Sequence, residues 1–162
     1  MIHLIVGNTG SGKTTYARAL KEKTNGIIFS IDQWNKTLFL ADKKPEDGLE
    51  WFLERIDRAE HLIMTLVHQL ESANTDAILD LGLSKYAHRE KFRQFANAHS
   101  YALKIHFLDI SKTTRFKRVM QRNDEKGPTF EFEVTKENFD FMEHWFEKPT
   151  EKEMKNGIHI TA

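Results

Sequence analysis

The segment that most constrains the fold lies near the start of the chain, where residues 7–14 read Gly-Asn-Thr-Gly-Ser-Gly-Lys-Thr. This is the pattern G-x-x-x-x-G-K-[ST], in which glycines let the backbone curl so that successive N–H groups point at phosphate oxygens. The apolar run Ile2 to Val6 precedes it and a helical pattern follows. We therefore predict a strand, a phosphate-binding loop and a helix whose positive N-terminal end also attracts phosphate.

Residue types inside this loop predict separate roles. Lys13 is expected to contact the β- and γ-phosphates of a nucleotide as a point charge, and Thr14 to offer its hydroxyl to Mg²⁺. A chance match is expected in about half a percent of chains of this length, so the signal is specific. The predicted nucleotide-binding residues are Gly7, Asn8, Thr9, Gly10, Ser11, Gly12, Lys13, Thr14 and Thr15.

Along the rest of the chain, short apolar runs alternate with longer helical patterns, which is typical of βα units and a parallel sheet. Five strands are predicted, at residues 2–6, 27–31, 77–80, 101–108 and 158–160. Helical patterns fall between them, at residues 13–23, 52–70, 92–96, 111–120 and 135–146, with a loop at 123–129 and a strand or ordered loop at 129–134. Ser111 and Thr135 are predicted to cap helices, and Thr150-Glu151-Lys152-Glu153 has the form of a capping box. The fold class expected is α/β, a three-layer α/β/α P-loop NTPase fold with a mainly parallel five-stranded sheet.

Composition narrows the class further. The length of 162 residues fits one domain, with a lid segment at about 111–135, and the absence of cysteine excludes a disulfide framework. No apolar run approaches a membrane span and the first residues do not resemble a signal peptide, so we expect a cytoplasmic protein without a membrane partner. The net charge is zero, but residues 85–126 hold 11 Lys or Arg against 4 Asp or Glu, which suits a compact polyanion such as ATP.

Phosphate-loop proteins of this kind fall into three candidate classes: kinases, energy-coupled ATPases and GTPase switches. The guanine signature N-K-x-D is absent, because Asn35-Lys36 is followed by Thr37-Leu38. Motor ATPases place Glu directly after a strand-ending acid, whereas Asp80 is followed by Leu81. A small kinase is the class that remains.

Two aspartates follow predicted strands, at the sheet edge where ligands of α/β folds gather. Asp32 comes after the second strand and is predicted to accept the proton of an acceptor hydroxyl. Asp80 ends the third strand and is predicted to hold Mg²⁺ or to position the acceptor. A later helix carries Arg115, Arg118 and Arg122 along one edge, and these guanidinium groups are expected to neutralise charge on the transferring phosphoryl group.

Four segments together resemble the small P-loop kinase branch that contains polynucleotide 5′-kinases, zeta-toxin kinases, chloramphenicol phosphotransferases and uncharacterised predicted kinases of the AAA type. The segments are residues 7–14, Ser30-Ile31-Asp32, residues 78–84 with Arg89, and residues 118–123 with Arg122-Asn123, and they span residues 1 to about 125. The tail at residues 146–151 is also similar.

The resemblance implies Mg²⁺-dependent transfer of a phosphoryl group from ATP or GTP to a hydroxyl. Asp32 would be the base, Lys13 the phosphate clamp, and Arg118 or Arg122 the lid arginine. Arg89 and Asp80 would lie near the acceptor, with Trp34 and Lys36 as further substrate-binding residues.

One departure from the branch bears on the acceptor. Polynucleotide kinases carry an arginine shortly after the base, where this chain has Gln33, Trp34, Asn35 and Lys36. We therefore favour a small-molecule acceptor, such as a metabolite, nucleoside or antibiotic. A polynucleotide 5′-hydroxyl kinase and a nucleotide-binding regulatory or toxin–antitoxin-type module stay open as alternatives, as do a monomer and a dimer.

Overall fold

The protein is described by a computed structural model that covers residues 1–161, and its centre is one parallel sheet. The strands are β1 (Ile2–Gly7), β2 (Ile27–Ser30), β3 (Ala77–Asp80), β4 (Leu103–Leu108) and β5 (Ile158–Ile160). Their order is β2-β3-β1-β4-β5, and each pair of neighbours is parallel. The prediction of a parallel five-stranded sheet is confirmed.

Six α-helices connect the strands. They are α1 (Lys13–Thr24), α2 (Ile31–Trp34), α3 (Leu49–Ser72), α4 (Tyr86–Ala98), α5 (Lys112–Glu125) and α6 (Lys136–Trp145). The short α2 continues into a π-helical turn at Asn35–Phe39 and a 3₁₀ turn at Leu40–Asp42. No helix within residues 1–161 is long and apolar enough to cross a bilayer.

Both faces of the sheet are covered, which gives the three predicted layers. All six residues of β1 are buried, as expected of a central strand. On one face, Ile63 of α3 and Phe92 of α4 belong to the larger core cluster. On the other face, Ala17 of α1 packs with Ile5 and neighbouring apolar residues. Parallel β1 thus holds the phosphate loop at the carboxyl edge of a rigid sheet.

Side-chain caps fix the helices around the site. Ser111 accepts a hydrogen bond from the Thr114 amide at 3.3 Å, and Thr135 accepts one from the Asn138 amide at 3.2 Å, as predicted. Thr150 and Glu153 also bond each other's amides, but only turns follow them. The capping-box prediction is right about the bonds, although no helix begins there.

Two boundaries differ from the sequence prediction. Ile31 was expected to be in a strand, but it opens α2 because the Ser30 hydroxyl caps the amide of Gln33. Asn123 was expected in a loop, but α5 extends beyond it and its side-chain amide exchanges two hydrogen bonds with the backbone of Val134, at 2.7 and 3.1 Å. Residues 129–134 form a loop that these bonds attach to α5.

A chain of polar side chains crosses the α1 side of the sheet. The Tyr16 hydroxyl lies 2.8 Å from Nδ1 of His106, whose Nε2 lies 2.9 Å from Nδ1 of His3. Nε2 of His3 is 3.0 Å from a carboxylate oxygen of Asp76. Burial, with His3 and Lys104 nearby, lowers the pKa of His106 to about 4. The imidazole of His106 is therefore neutral at pH 7.

Candidate active site

The phosphate loop adopts a backbone that only glycine takes without strain at two positions. Gly10 has a φ of +80° and Gly12 a φ of +93°. A Cβ on Gly10 would lie 2.6 Å from the carbonyl oxygen of Arg115 and 2.8 Å from Cγ2 of Val119. Helix α5 therefore packs directly against the loop at Gly10.

Lys13 lies inside the curl of this loop. Its Nζ donates to the carbonyl oxygens of Gly7 at 2.9 Å and Asn8 at 3.4 Å. Burial lowers the pKa of Lys13, while the charges of Asp80 and Asp32 oppose that shift. The ammonium is thus held where the predicted phosphate chain would lie, with two carboxylates close enough to act on its charge.

Asp32 and Asp80 lie side by side because β2 and β3 are neighbours. In the strand register Ser30 pairs with Asp80, and Asp32 follows within two residues. Burial raises the pKa of both carboxyl groups, and the Asp80 charge raises that of Asp32 further. The Thr14 hydroxyl donates to Asp80 at 3.0 Å. A hydroxyl and a carboxylate in contact form an oxygen donor set that fits Mg²⁺.

The three arginines of α5 have different surroundings. Arg115 is buried and donates to the carbonyl oxygens of Ile110 at 2.9 Å and Thr9 at 3.1 Å. Arg118 donates to the carbonyl oxygen of Ser11 at 3.4 Å. Arg122 has a buried Nε without a hydrogen-bond partner within residues 1–161, and burial lowers its pKa against the attraction of Asp32. Arg118 and Arg122 therefore face the site, whereas Arg115 supports the loop.

One cavity of about 510 Å³ joins these groups, a volume typical of small-molecule sites. From the loop side it is lined by Gly7, Thr9, Gly10, Gly12, Lys13, Thr14, Thr15, Arg118, Val119 and Arg122. The remaining lining residues are Ser30, Asp32, Asp80, Gly82, Ser84, Thr129, Glu131, Phe132, Val134, Asn138, Phe141 and Met142. The fold thus brings together most of the predicted site residues.

Five predicted site residues do not line this cavity. Asn8 and Ser11 are buried within the loop. Trp34 packs edge-on against Phe29, with ring centroids 6.0 Å apart. Lys36 is exposed and forms an ion pair with Glu131 at 3.2 Å. The direct acceptor contacts predicted for Trp34 and Lys36 find no support in this arrangement.

Arg89 is the fifth, and its prediction requires a correction. The side chain is 0% exposed and forms an ion pair with Glu153 at 2.7 Å. It also donates to the carbonyl oxygens of Leu83 at 3.1 Å and Glu147 at 2.9 Å. These bonds attach α4 to the segment before β5, so Arg89 is a structural residue and does not face the acceptor.

The sequence did not predict the contacts of Glu143 with Asn8 and Arg115, which we call the latch and which hold the phosphate loop in place. Glu143 of α6 accepts a hydrogen bond from the Asn8 side chain at 2.8 Å and forms an ion pair with Arg115. Glu131, Phe132 and Phe141 were also missed as cavity residues. Glu143 gave no local signal, because its partners lie 135 and 28 residues away.

The sheet order and the phosphate loop between β1 and α1 define a P-loop NTPase fold. Residues 2–149 match the AAA domain family, and the chain belongs to that family.

A curated relative matches about three quarters of the chain. A UPF0200 protein of Saccharolobus islandicus is 28% identical over 122 residues, which are 74% of this chain and 63% of the relative's length. The match therefore spans less than two thirds of that protein.

Two solved structures share the architecture. The structure of Kti12 from Chaetomium thermophilum in complex with ADP-AlF3 has a TM-score of 0.73 at 14% identity, covering 99% of this chain and 89% of the other. The structure of the APS kinase CysC of Mycobacterium tuberculosis in complex with AMPPNP and APS has a TM-score of 0.64 at 16% identity, covering 99% and 87%. At these identities the likeness concerns the fold.

Proposed function

We propose that the protein is a kinase that transfers the γ-phosphoryl group of ATP or GTP to a hydroxyl of a small molecule. The observation that carries the proposal is the position of Asp32. Its carboxylate opens into the same cavity as Lys13 and Arg122, and it makes no side-chain hydrogen bond or ion pair within residues 1–161. A carboxylate that is free in this place is available to an acceptor.

Asp32 would act on the proton of the acceptor hydroxyl. The acceptor oxygen forms a bond to the γ-phosphorus, the bond from that phosphorus to the β,γ-bridging oxygen breaks, and the nucleoside diphosphate leaves. The hydroxyl proton passes to Asp32, whose pKa is raised by burial and by Asp80. A raised pKa favours proton acceptance, because desolvation and the neighbouring Asp80 charge make the ionised form more costly.

The remaining charged groups suit the phosphates. Lys13, Arg118 and Arg122 line the loop side of the cavity, where they can neutralise charge that builds on the transferring group. Thr14 and Asp80 would hold Mg²⁺, which would neutralise charge on the nucleotide phosphates. The two structural neighbours support this use of the fold, since Kti12 was solved with ADP-AlF3 and the APS kinase CysC with AMPPNP and APS.

A small acceptor is favoured over a nucleic-acid end. Lys36, the one basic residue shortly after Asp32, is paired with Glu131 and lies outside the cavity lining. The cavity itself has the volume of a small-molecule site. A polynucleotide kinase would instead need a free cation near Asp32 to hold the phosphate of its acceptor.

The decisive experiment compares Asp32→Asn with Asp42→Asn, an exposed aspartate on the 3₁₀ turn that serves as the matched control. Metabolites and antibiotics are first screened for acceptor-stimulated ATP consumption by the unmodified protein. With an acceptor found, Asp32→Asn should keep nucleotide affinity and lose transfer by about 10²–10⁴-fold, while Asp42→Asn keeps both.

Two results would contradict the proposal. Transfer that survives Asp32→Asn would refute the base assignment. Nucleotide binding without any acceptor-stimulated turnover would favour a regulatory module instead. Lys13→Ala provides a separate check on the loop, since it should weaken ATP binding whichever chemistry follows.

A further inference from the structure

We propose that the acceptor is an uncharged or cationic alcohol that carries an apolar, ring-sized part, and that anionic acceptors are rejected. This inference rests on the proposed kinase function and names the substrate class of the same site. It follows from how charge and aromatic surface divide between the two sides of the cavity.

The ionisable groups that line the cavity are three bases and three acids. They are Lys13, Arg118, Arg122, Asp32, Asp80 and Glu131. Lys13 and Arg118 bond carbonyl oxygens of the phosphate loop, and Arg122 follows Arg118 one helical turn later. The bases therefore lie where nucleotide phosphates would require them, and Asp80 is engaged by Thr14. The acceptor side retains two carboxylates, Asp32 and Glu131.

Other nearby cations are already occupied. Arg89 is buried against Glu153, and Lys85 is paired with Glu147 while lying over the Trp145 ring. Lys36 is paired with Glu131, so it balances a carboxylate and leaves no surplus positive charge. When the nucleotide phosphates engage Arg122, a carboxylate or phosphate on the acceptor would meet the charge of Asp32 without a further free cation, which is costly at a partly desolvated site.

Glu131 lies on the acceptor side beside Asp32. Its ion pair with Lys36 attaches it to the turn that follows Asp32. Its charge also contributes to the raised pKa of Asp32, after burial and the charges of Asp80 and Lys13. A protonated amine on the acceptor would share the Glu131 carboxylate with the exposed Lys36, close to the reacting hydroxyl.

Two phenylalanines supply an apolar wall on the same side. Phe132, next to Glu131, is 51% exposed, and Phe141 of α6 is 56% exposed, although both line the cavity. The Phe141 ring is stacked on Trp145, with centroids 5.5 Å apart and 24° between planes. Exposed rings that line a cavity favour a flat or aliphatic group that covers them. Because Phe132 follows the residue beside Asp32, we assign this wall to the acceptor rather than to the nucleotide base.

The test measures binding in the presence of Mg²⁺ and AMPPNP, so that it does not depend on turnover. Saturation-transfer NMR is applied to matched alcohols that share one ring: phenylalaninol, its N-acetyl derivative and 3-phenyllactate. The amine and the amide should bind at least about tenfold more tightly than the carboxylate. Equal or tighter binding of the carboxylate, or no binding of either other compound, would overturn the proposal.

Charge reversal gives a second measurement. Glu131→Lys should invert the preference, while the control Glu133→Lys, two residues on and exposed outside the cavity lining, should leave it unchanged. Glu131→Gln is included because it removes the charge without introducing a new one, and it should reduce the preference for the amine. Identical selectivity in all these variants would rule out Glu131 as the determinant.

The aromatic wall is tested with Phe132→Ala against Phe130→Ala, a ring that does not line the cavity. The Kd of the ring-bearing alcohol should rise about threefold to tenfold with an unchanged Kd for AMPPNP. A larger effect on AMPPNP than on the alcohol would assign the ring to the base and defeat the inference. If the unmodified protein transfers phosphoryl groups but prefers the carboxylate over the amine, only the proposed acceptor class is wrong. If it prefers the amine but shows no phosphoryl transfer, only the kinase proposal is wrong.

Discussion

Replacing Gly10 by alanine is a direct test of how the phosphate loop is supported. A Cβ at this position would lie 2.6 Å from the Arg115 carbonyl oxygen and 2.8 Å from Val119 Cγ2, on a backbone with φ of +80°. Gly12 offers a matched control, because its φ is +93° and a Cβ there would meet only the Arg118 guanidinium at 3.8 Å. Both alanines strain the backbone, but only one collides with α5.

The two substitutions therefore separate strain from packing. A left-handed backbone costs an alanine about 1–2 kcal/mol, which is the effect expected on the free energy of unfolding for Gly12→Ala. Gly10→Ala adds an overpacking cost of about 1–3 kcal/mol, because the Arg115 carbonyl belongs to the helix backbone and cannot rotate away. The entropy that alanine removes from the unfolded chain is common to both variants and cancels in their difference.

Urea unfolding followed by tryptophan fluorescence measures both free energies, and titration with ATP measures the accompanying loss of affinity. Gly10→Ala should be the less stable variant by about 1–3 kcal/mol, with weaker ATP binding because the loop must move away from α5. Equal destabilisation by the two alanines would show that α5 does not buttress the loop, and the reasoning would fail.

Three further outcomes follow from buried polar groups. Glu153→Gln should cost about 3–5 kcal/mol in urea unfolding by leaving Arg89 unpaired. Burial alone would raise the pKa of Glu153, but hydrogen bonds from Arg89 and Thr150 lower it. The stabilisation by the ion pair is therefore complete above the pKa of the carboxyl group in the unfolded chain and is lost as the pH falls through its pKa in the folded protein. An effect of Glu153→Gln that does not depend on pH would contradict this. His106 should titrate by NMR near pH 4. Because the same histidine in the unfolded chain binds its proton near pH 6.5, the free energy of unfolding should decrease as the pH is lowered from 6.5 to 4. A titration midpoint above pH 6 would refute the neutral burial of His106. Glu143→Gln should weaken ATP binding about threefold to tenfold by loosening its bonds to the loop, and unchanged affinity would exclude the latch.

Local signals in the sequence were sufficient to predict the phosphate loop and the secondary structure around it. The phosphate loop, five strands, and the caps at Ser111 and Thr135 depend on residues close together in the chain, and the structure contains each of them. Asp32 and Asp80 were placed together because carboxyl ends of parallel strands share an edge, and the register of β2 and β3 does bring them side by side.

The roles of two arginines could not be predicted, because they depend on partners that are distant in the sequence. Arg89 is of a residue type that often contacts substrates, but in the protein interior its charge is neutralised by Glu153, 64 residues later. Arg115 shares one helix edge with Arg118 and Arg122, but Glu143 and the Thr9 carbonyl turn it towards the loop. A residue type suggests a chemistry, whereas the identity of its partner depends on packing between distant segments.

The central position of β1 has a consequence for the order of folding. Its partners arrive late, since Ile2 pairs with Ala77 on one side and with Leu103 on the other. The loop that follows β1 is then fastened by Glu143, 135 residues after Asn8. During synthesis the phosphate loop therefore lacks this support until residue 143 has left the ribosome, and contacts of such high sequence separation form slowly. Nucleotide would act as a ligand of the finished fold, protecting it from global unfolding rather than guiding its assembly.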